Sequence, residues 1–153
     1  MNMLFTLLPE AVSTADLGSK SAILAHMAQQ FAGVYDLDAG DVLSGIEGRE
    51  ALGSTGFGRG VAIPHARMDG LHRPVAAFLR LGNPVDFDAA DGMPVNLVFG
   101  LLSPESAGAT HLHALAAISR LMRDDRMHQA LMEAPGPEAM YGLLSNVTDR
   151  DAA

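Results

Sequence analysis

Apolar side chains fall at helical spacing in one set of segments and in unbroken runs in another. Ile23, Leu24, Met27, Ala28 and Phe31 recur at three- and four-residue steps, which predicts a helix started by Ser19 or Ser21 and closed by Gly33. Val42, Leu43 and Ile46 predict a second helix beginning at Asp38 or Asp41 and ending near Gly48. Leu112, Leu115, Ala116, Ile118, Leu121 and Met122 predict a third behind an N-cap at Thr110. A fourth starts at Asp124-Asp125 with Met127, Ala130 and Leu131, and a last one runs from about Pro137 to Leu144. The unbroken runs read as strands. They are a short edge strand over Leu4–Leu8 stopped by Pro9, a buried strand over 61–63, a strand over 75–81 stopped by Asn83-Pro84, and a central strand over 95–102. Segment 68–73 reads as turn-like, and Ala89-Ala90-Asp91-Gly92 as a chain reversal.

Strands interleaved with helices predict one three-layer α/β domain over residues 1–153, with a core over about 4–144 and a frayed polar tail over 145–153. The length is enough for one proper core. Composition narrows the class. Hydrophobic residues make up 48% of the chain, which excludes a disordered polymer, and cysteine is absent, which excludes disulfides and thiolate metal sites. The formal charge of −8 argues against nucleic acid as the main partner. The first residues lack a basic start followed by a long apolar run, and no window approaches a membrane span, so the expectation is a soluble cytoplasmic protein without membrane insertion.

The densest chemical signal is Gly53-Ser54-Thr55-Gly56-Phe57-Gly58-Arg59-Gly60-Val61-Ala62-Ile63-Pro64-His65. A glycine-rich loop feeds a short apolar strand. Pro64 cannot donate to a ladder, so pairing is expected to end there, holding His65 at the rim of a sheet. The loop fits neither common nucleotide motif. Gly53 and Gly58 have P-loop spacing, but Arg59-Gly60 stands where Lys-Ser/Thr is required, and the dinucleotide fingerprint needs glycine where Val61 stands.

This stretch, with Gly48-Arg49-Glu50 before it, resembles the enzyme IIA domains of the bacterial phosphotransferase system, fructose/mannitol superfamily, with the nitrogen-regulatory branch most similar. Asn83-Pro84-Val85-Asp86-Phe87-Asp88-Ala89, Pro94-Val95-Asn96-Leu97-Val98-Phe99 and Thr110-His111-Leu112 extend the resemblance over roughly residues 4–144. It implies a mixed sheet of about five strands flanked by helices. It also implies a phosphoryl carrier without a cofactor, charged by a histidine-phosphorylated carrier protein. Nitrogen-type regulators of this kind bind partners such as potassium-transport or sensor-kinase proteins according to phosphorylation state. A fructose/mannitol-type IIA component passing phosphate to a IIB sugar-transport domain, and a protein-binding module that has lost phosphotransfer, are the alternatives; a monomer or weak dimer is expected.

By this resemblance His65 is the phosphoryl acceptor. A neutral imidazole nitrogen is a good nucleophile near neutral pH and forms a labile P–N bond; Nε2 is expected to attack, with Nδ1–H held by a carbonyl. His111 matches the family's second histidine, implied to donate to the phosphoryl group, and Arg49 matches an arginine implied to stabilise it through its planar fork. Ser54, Thr55 and Gly56 are candidate hydroxyl or N–H donors. Phe57 and Met68 are candidates for an apolar docking rim, whereas Val61 reads as core. Arg59 and Arg67 read as surface charges that steer partners; Arg59 and Ala66 depart modestly from the family pattern. The remaining histidines, 26, 72, 113 and 128, read as structural or solvated. His111 and His113 lie about 200° apart around a helix and cannot chelate one ion, and no His-Glu-x-x-His occurs, so no metal is expected.

Overall fold

The computed structural model describes residues 4–152, with side chains described through residue 146. After a short 3₁₀ turn, Pro9–Ala11, the elements in chain order are β1 Val12–Ala15, α1 Lys20–Tyr35, α2 Ala39–Glu50, β2 Gly56–Gly58, β3 Val61–Ala62, β4 His65–Met68, β5 Val75–Val85, β6 Val95–Pro104, α3 Gly108–Arg123, α4 Asp125–Glu133 and α5 Pro137–Ala152. The mixed sheet has six strands where about five were expected, in the order β1-β5-β6-β3-β2, with β4 also on β6. β1–β5, β3–β6 and β4–β6 are parallel; β5–β6 and β2–β3 are antiparallel.

β6 is central, as its unbroken apolar run predicted, and Val95 to Ser103 are buried apart from Asn96. Strand alternation assigns its two faces. Gly100 lies under α1, where an added Cβ would come 2.7 Å from Met27 Cε and 2.9 Å from Phe31. Phe99, Leu101 and Ser103 therefore face the opposite layer, and Ser103 meets His111 of α3 there. The N-terminal segment shares the Phe99 side through Phe5, whose ring stands edge-on to Phe99 at 5.7 Å.

Several boundaries differ from expectation, each for a physical reason. Leu4–Leu8 is not a strand. It makes one bridge, Thr6 to Val75, and Pro9 opens the 3₁₀ turn that delivers β1 instead. Ser19 caps α1 as one of the two candidates, but the helix passes Gly33 and stops at Asp36, which adopts the left-handed conformation. Asp38 caps α2, which runs to Glu50. Thr110 is not a cap; α3 starts at Gly108 after Ala107, without a side-chain cap. The Asn83-Pro84 stop is overridden, since β5 continues through a register irregularity to Val85. The polar stretch after Ser145 continues the backbone of α5 to Ala152; Ala153 lies outside the described residues.

The correction at Pro64 matters most. Pairing does not end there. Val61↔Leu97 and Ala62↔Val98 in β3 keep the same offset to β6 as His65↔Leu101 and Ala66↔Leu102 in β4. Proline removes a donor but not an acceptor, and Leu101 N–H donates to Pro64 O at 3.0 Å. His65 is thus carried in register on the central strand, not left loose beyond its end. Among the described residues no helix is long and apolar enough to cross a membrane.

Candidate functional site

His65 opens β4, half-buried on the sheet face that meets α3. Its Nδ1 sits 2.7 Å from Ile63 O. A carbonyl can only accept, so Nδ1 carries the ring proton and Nε2 keeps a free lone pair. Burial is the main cause holding the His65 pKa below the usual imidazole value. The Ile63 carbonyl opposes it, Arg49 lowers it further, Glu50 raises it and Arg67 lowers it. The ring is therefore neutral near pH 7.

His111 lies in the first turn of α3, 5% exposed, its ring centroid 5.6 Å from that of His65 and tilted by 50°. Its Nδ1 is 2.6 Å from Ser103 Oγ. Burial first, then the nearby Arg67 charge and electrostatic coupling to the His65 ring, pushes its pKa down to about 4. His113, two residues on, is exposed, as the helical angle requires.

Two hollows meet at His65. One of about 500 Å³ includes Arg49, Leu52, Arg67, His111, Leu112 and Leu115 in its lining. The other, of about 240 Å³, has Arg49 and Leu115 again, with Phe57, Ile63, Ser119 and Arg123. Arg49 is half-buried at the end of α2, donates one N–H to Gly53 O at 2.8 Å and lines both hollows.

The family model for the phosphoenolpyruvate-dependent sugar phosphotransferase system, EIIA 2, matches residues 7–147. The chain belongs to this family. A nitrogen regulatory protein of Pseudomonas aeruginosa is 43% identical over 85% of this chain and 85% of its own length. One from Bradyrhizobium diazoefficiens is 41% identical over 90% of both. The crystal structure of nitrogen regulatory protein IIA-Ntr from Neisseria meningitidis superposes with a TM-score of 0.84 at 36% identity, covering 90% of this chain and 95% of that one.

The glycine loop of this EIIA domain is a scaffold rather than a set of free donors. Ser54 Oγ donates to Phe87 O at 2.7 Å and accepts from Gly56 N–H at 3.0 Å. Thr55 donates both its hydroxyl and its N–H to the buried Glu50 carboxylate, which also takes Lys20 Nζ at 2.9 Å. The hydroxyls of Ser54 and Thr55 and the N–H groups of Thr55 and Gly56 thus already have acceptors inside the protein, although Ser54 and Thr55 also line the smaller hollow. Their product is position: Thr55 O accepts from Ile63 N–H at 2.9 Å, so the loop grips the residue whose carbonyl holds His65.

The apolar rim also differs from expectation. Phe57 lines the smaller hollow beneath the Arg123 guanidinium, 5.7 Å from its ring. Met68 lines neither, since β4 carries it three residues along to pair with Pro104. Leu52 and Leu112 take that place, 84% and 60% exposed. Of the flanking arginines, Arg67 lines the larger hollow, whereas Arg59 is turned away in an ion pair with Asp125. Leu115, Ser119 and Arg123 were missed, though His111 and these three recur at four-residue steps along one helix face.

His26 is half-buried beside Ser13, His72 is exposed, and His128 lies on α4 away from both hollows. Among the described residues no three His, Asp or Glu side chains converge as a metal site.

Proposed function

We propose that His65 Nε2 accepts a phosphoryl group from a histidine-phosphorylated carrier protein, and that the charged form binds a regulatory partner differently from the free form. The observation that carries this reading is the 2.7 Å contact from His65 Nδ1 to Ile63 O, which commits the proton to Nδ1 and leaves Nε2 nucleophilic. In the transfer, the Nε2 lone pair forms a P–N bond as the donor's P–N bond breaks, its electron pair returning to the donor ring. The loose transition state asks the protein chiefly for alignment and for positive charge around the phosphoryl oxygens. Arg49 and Arg67 stand at the larger hollow to supply that charge, and His111 faces it. In the product, nearly two negative charges would sit among exposed Leu52 and Leu112, enough to re-select what docks there. The nitrogen regulatory proteins among its relatives favour a nitrogen-regulatory partner over a sugar permease component.

The test is incubation with phosphoenolpyruvate, enzyme I and the carrier protein, followed by ³¹P NMR. An acid-labile Nε2-phosphohistidine is expected in the wild type and none in His65→Ala. Equal labelling of the two overturns the assignment. Arg49→Lys is expected to slow transfer more than tenfold, because an ammonium cannot present the fork.

A further inference from the structure

We propose that Ser103 is a positioning residue which donates its hydroxyl proton to His111 Nδ1 and so fixes His111 as the Nε2–H tautomer, a neutral donor aimed at the phosphoryl group on His65. The proposal deepens, and rests on, the reading of His65 as acceptor.

Ser103 is a hydroxyl placed at the end of an otherwise apolar central strand, fully buried and in register with Arg67 of β4. A buried hydroxyl proton left without an acceptor is costly, because it has given up its hydrogen bond to water. Among the described residues Ser103 Oγ has one partner, His111 Nδ1, at 2.6 Å. If Nδ1–H donated instead, the serine proton would have no acceptor among them. The favourable arrangement is Ser103 O–H to Nδ1, which leaves the ring's single proton on Nε2. The two ring nitrogens point in diverging directions, so with Nδ1 turned back toward Ser103, Nε2 faces the larger hollow that His111 shares with His65. The depressed His111 pKa keeps the ring neutral, so without this bond it would have no fixed donor edge.

The two histidines are therefore pinned through the same ring atom to partners of opposite polarity. A carbonyl behind His65 makes its Nε2 a lone pair, the nucleophile. A hydroxyl behind His111 makes its Nε2 an N–H, the donor. One ring attacks phosphorus and the other hydrogen-bonds a phosphoryl oxygen, and neither needs a net charge.

The test is ¹⁵N NMR of the full chain labelled at histidine, near pH 7. The expected wild-type result is His111 protonated at Nε2 and bare at Nδ1, with His65 the reverse. In Ser103→Ala, His111 should average between tautomers while His65 keeps its own. Transfer to His65 should slow about tenfold, the cost of one mis-set donor, and recover in Ser103→Thr. A wild-type His111 protonated at Nδ1, or a Ser103→Ala chain with unchanged tautomer and rate, overturns the proposal. The wild-type spectrum needs no variant to fold and no phosphoryl donor. Absence of label at His65 would instead overturn the acceptor reading and leave the tautomer result standing.

Discussion

His65 and His111 sit with ring centroids 5.6 Å apart on opposed elements, one opening a strand and the other closing the first turn of a helix. Both rings are held from behind through Nδ1, at 2.7 and 2.6 Å, so the edge each presents to the groove is set by its anchor rather than by solvent.

The rate of phosphoryl acceptance should report the His65 pKa. Protonation consumes the Nε2 lone pair, and the group's pKa lies below the ordinary 6.5, with burial as the first cause. With pre-phosphorylated carrier and rapid quench, the rate should be full in mildly alkaline solution and fall on acidification with a midpoint below 6.5. A midpoint above 6.5 would contradict the buried, neutral ring.

Acid should also weaken the fold through His111. In the native state this ring stays neutral down to about pH 4, whereas in the unfolded chain it takes a proton near 6.5. Between those values the unfolded state binds more protons, so stability is full above 6.5 and is lost as pH falls, by a sum on the order of 3 kcal/mol. Urea unfolding of wild type and His111→Gln at pH 7 and pH 4.5 checks this. The variant should lose clearly less stability between the two.

Glu50 ties three elements together, since its carboxylate serves the glycine loop through Thr55 and the start of α1 through Lys20. Lys20 lies in turn 4.7 Å over the Phe87 ring. Glu50→Ala strips a buried charge pair of one partner and should cost about 3 kcal/mol, with Glu50→Gln milder because it still accepts from Thr55. Denaturant midpoints decide the order; equal loss in both would mean that charge, not hydrogen bonding, carries the network.

Gly56 is required for space. A Cβ there would stand 2.9 Å from Ala89 Cβ and 3.1 Å from its Cα, where the chain reversal after β5 closes on the loop through Ala90 N–H to Gly56 O at 2.9 Å. Gly56→Ala should cost about 1–3 kcal/mol of stability. Adding Ala89→Gly should return part of it, and a double variant as weak as the single one would point to backbone strain instead.

Much of this site could be read locally. The periodicities gave every long helix, the apolar run of β6 marked the central strand, and the glycine loop ahead of Pro64-His65 singled out the acceptor candidate. The misreadings share one origin. Pro64 reads as a stop because it lacks a donor, yet its carbonyl accepts from Leu101 N–H. Leu112 falls on the apolar stripe that predicts α3, yet it is exposed at the groove. Met68 is near His65 in sequence and still lines neither hollow, whereas Arg123, distant in sequence, does.

The chain order of residues alone determined which segments become helix or strand and which imidazole stands after the loop, because periodicity, capping and proline chemistry act over a few neighbouring positions. Tertiary structure decided most of the polar partners. Ile63 reaches His65 locally, but Ser103 reaches His111, Glu50 reaches Lys20, and Phe87 reaches Ser54 only once strands and helices have packed. The pairing of His111 and the occupancy of the Ser54 hydroxyl are properties of such distant partners, and no short-range pattern encodes them.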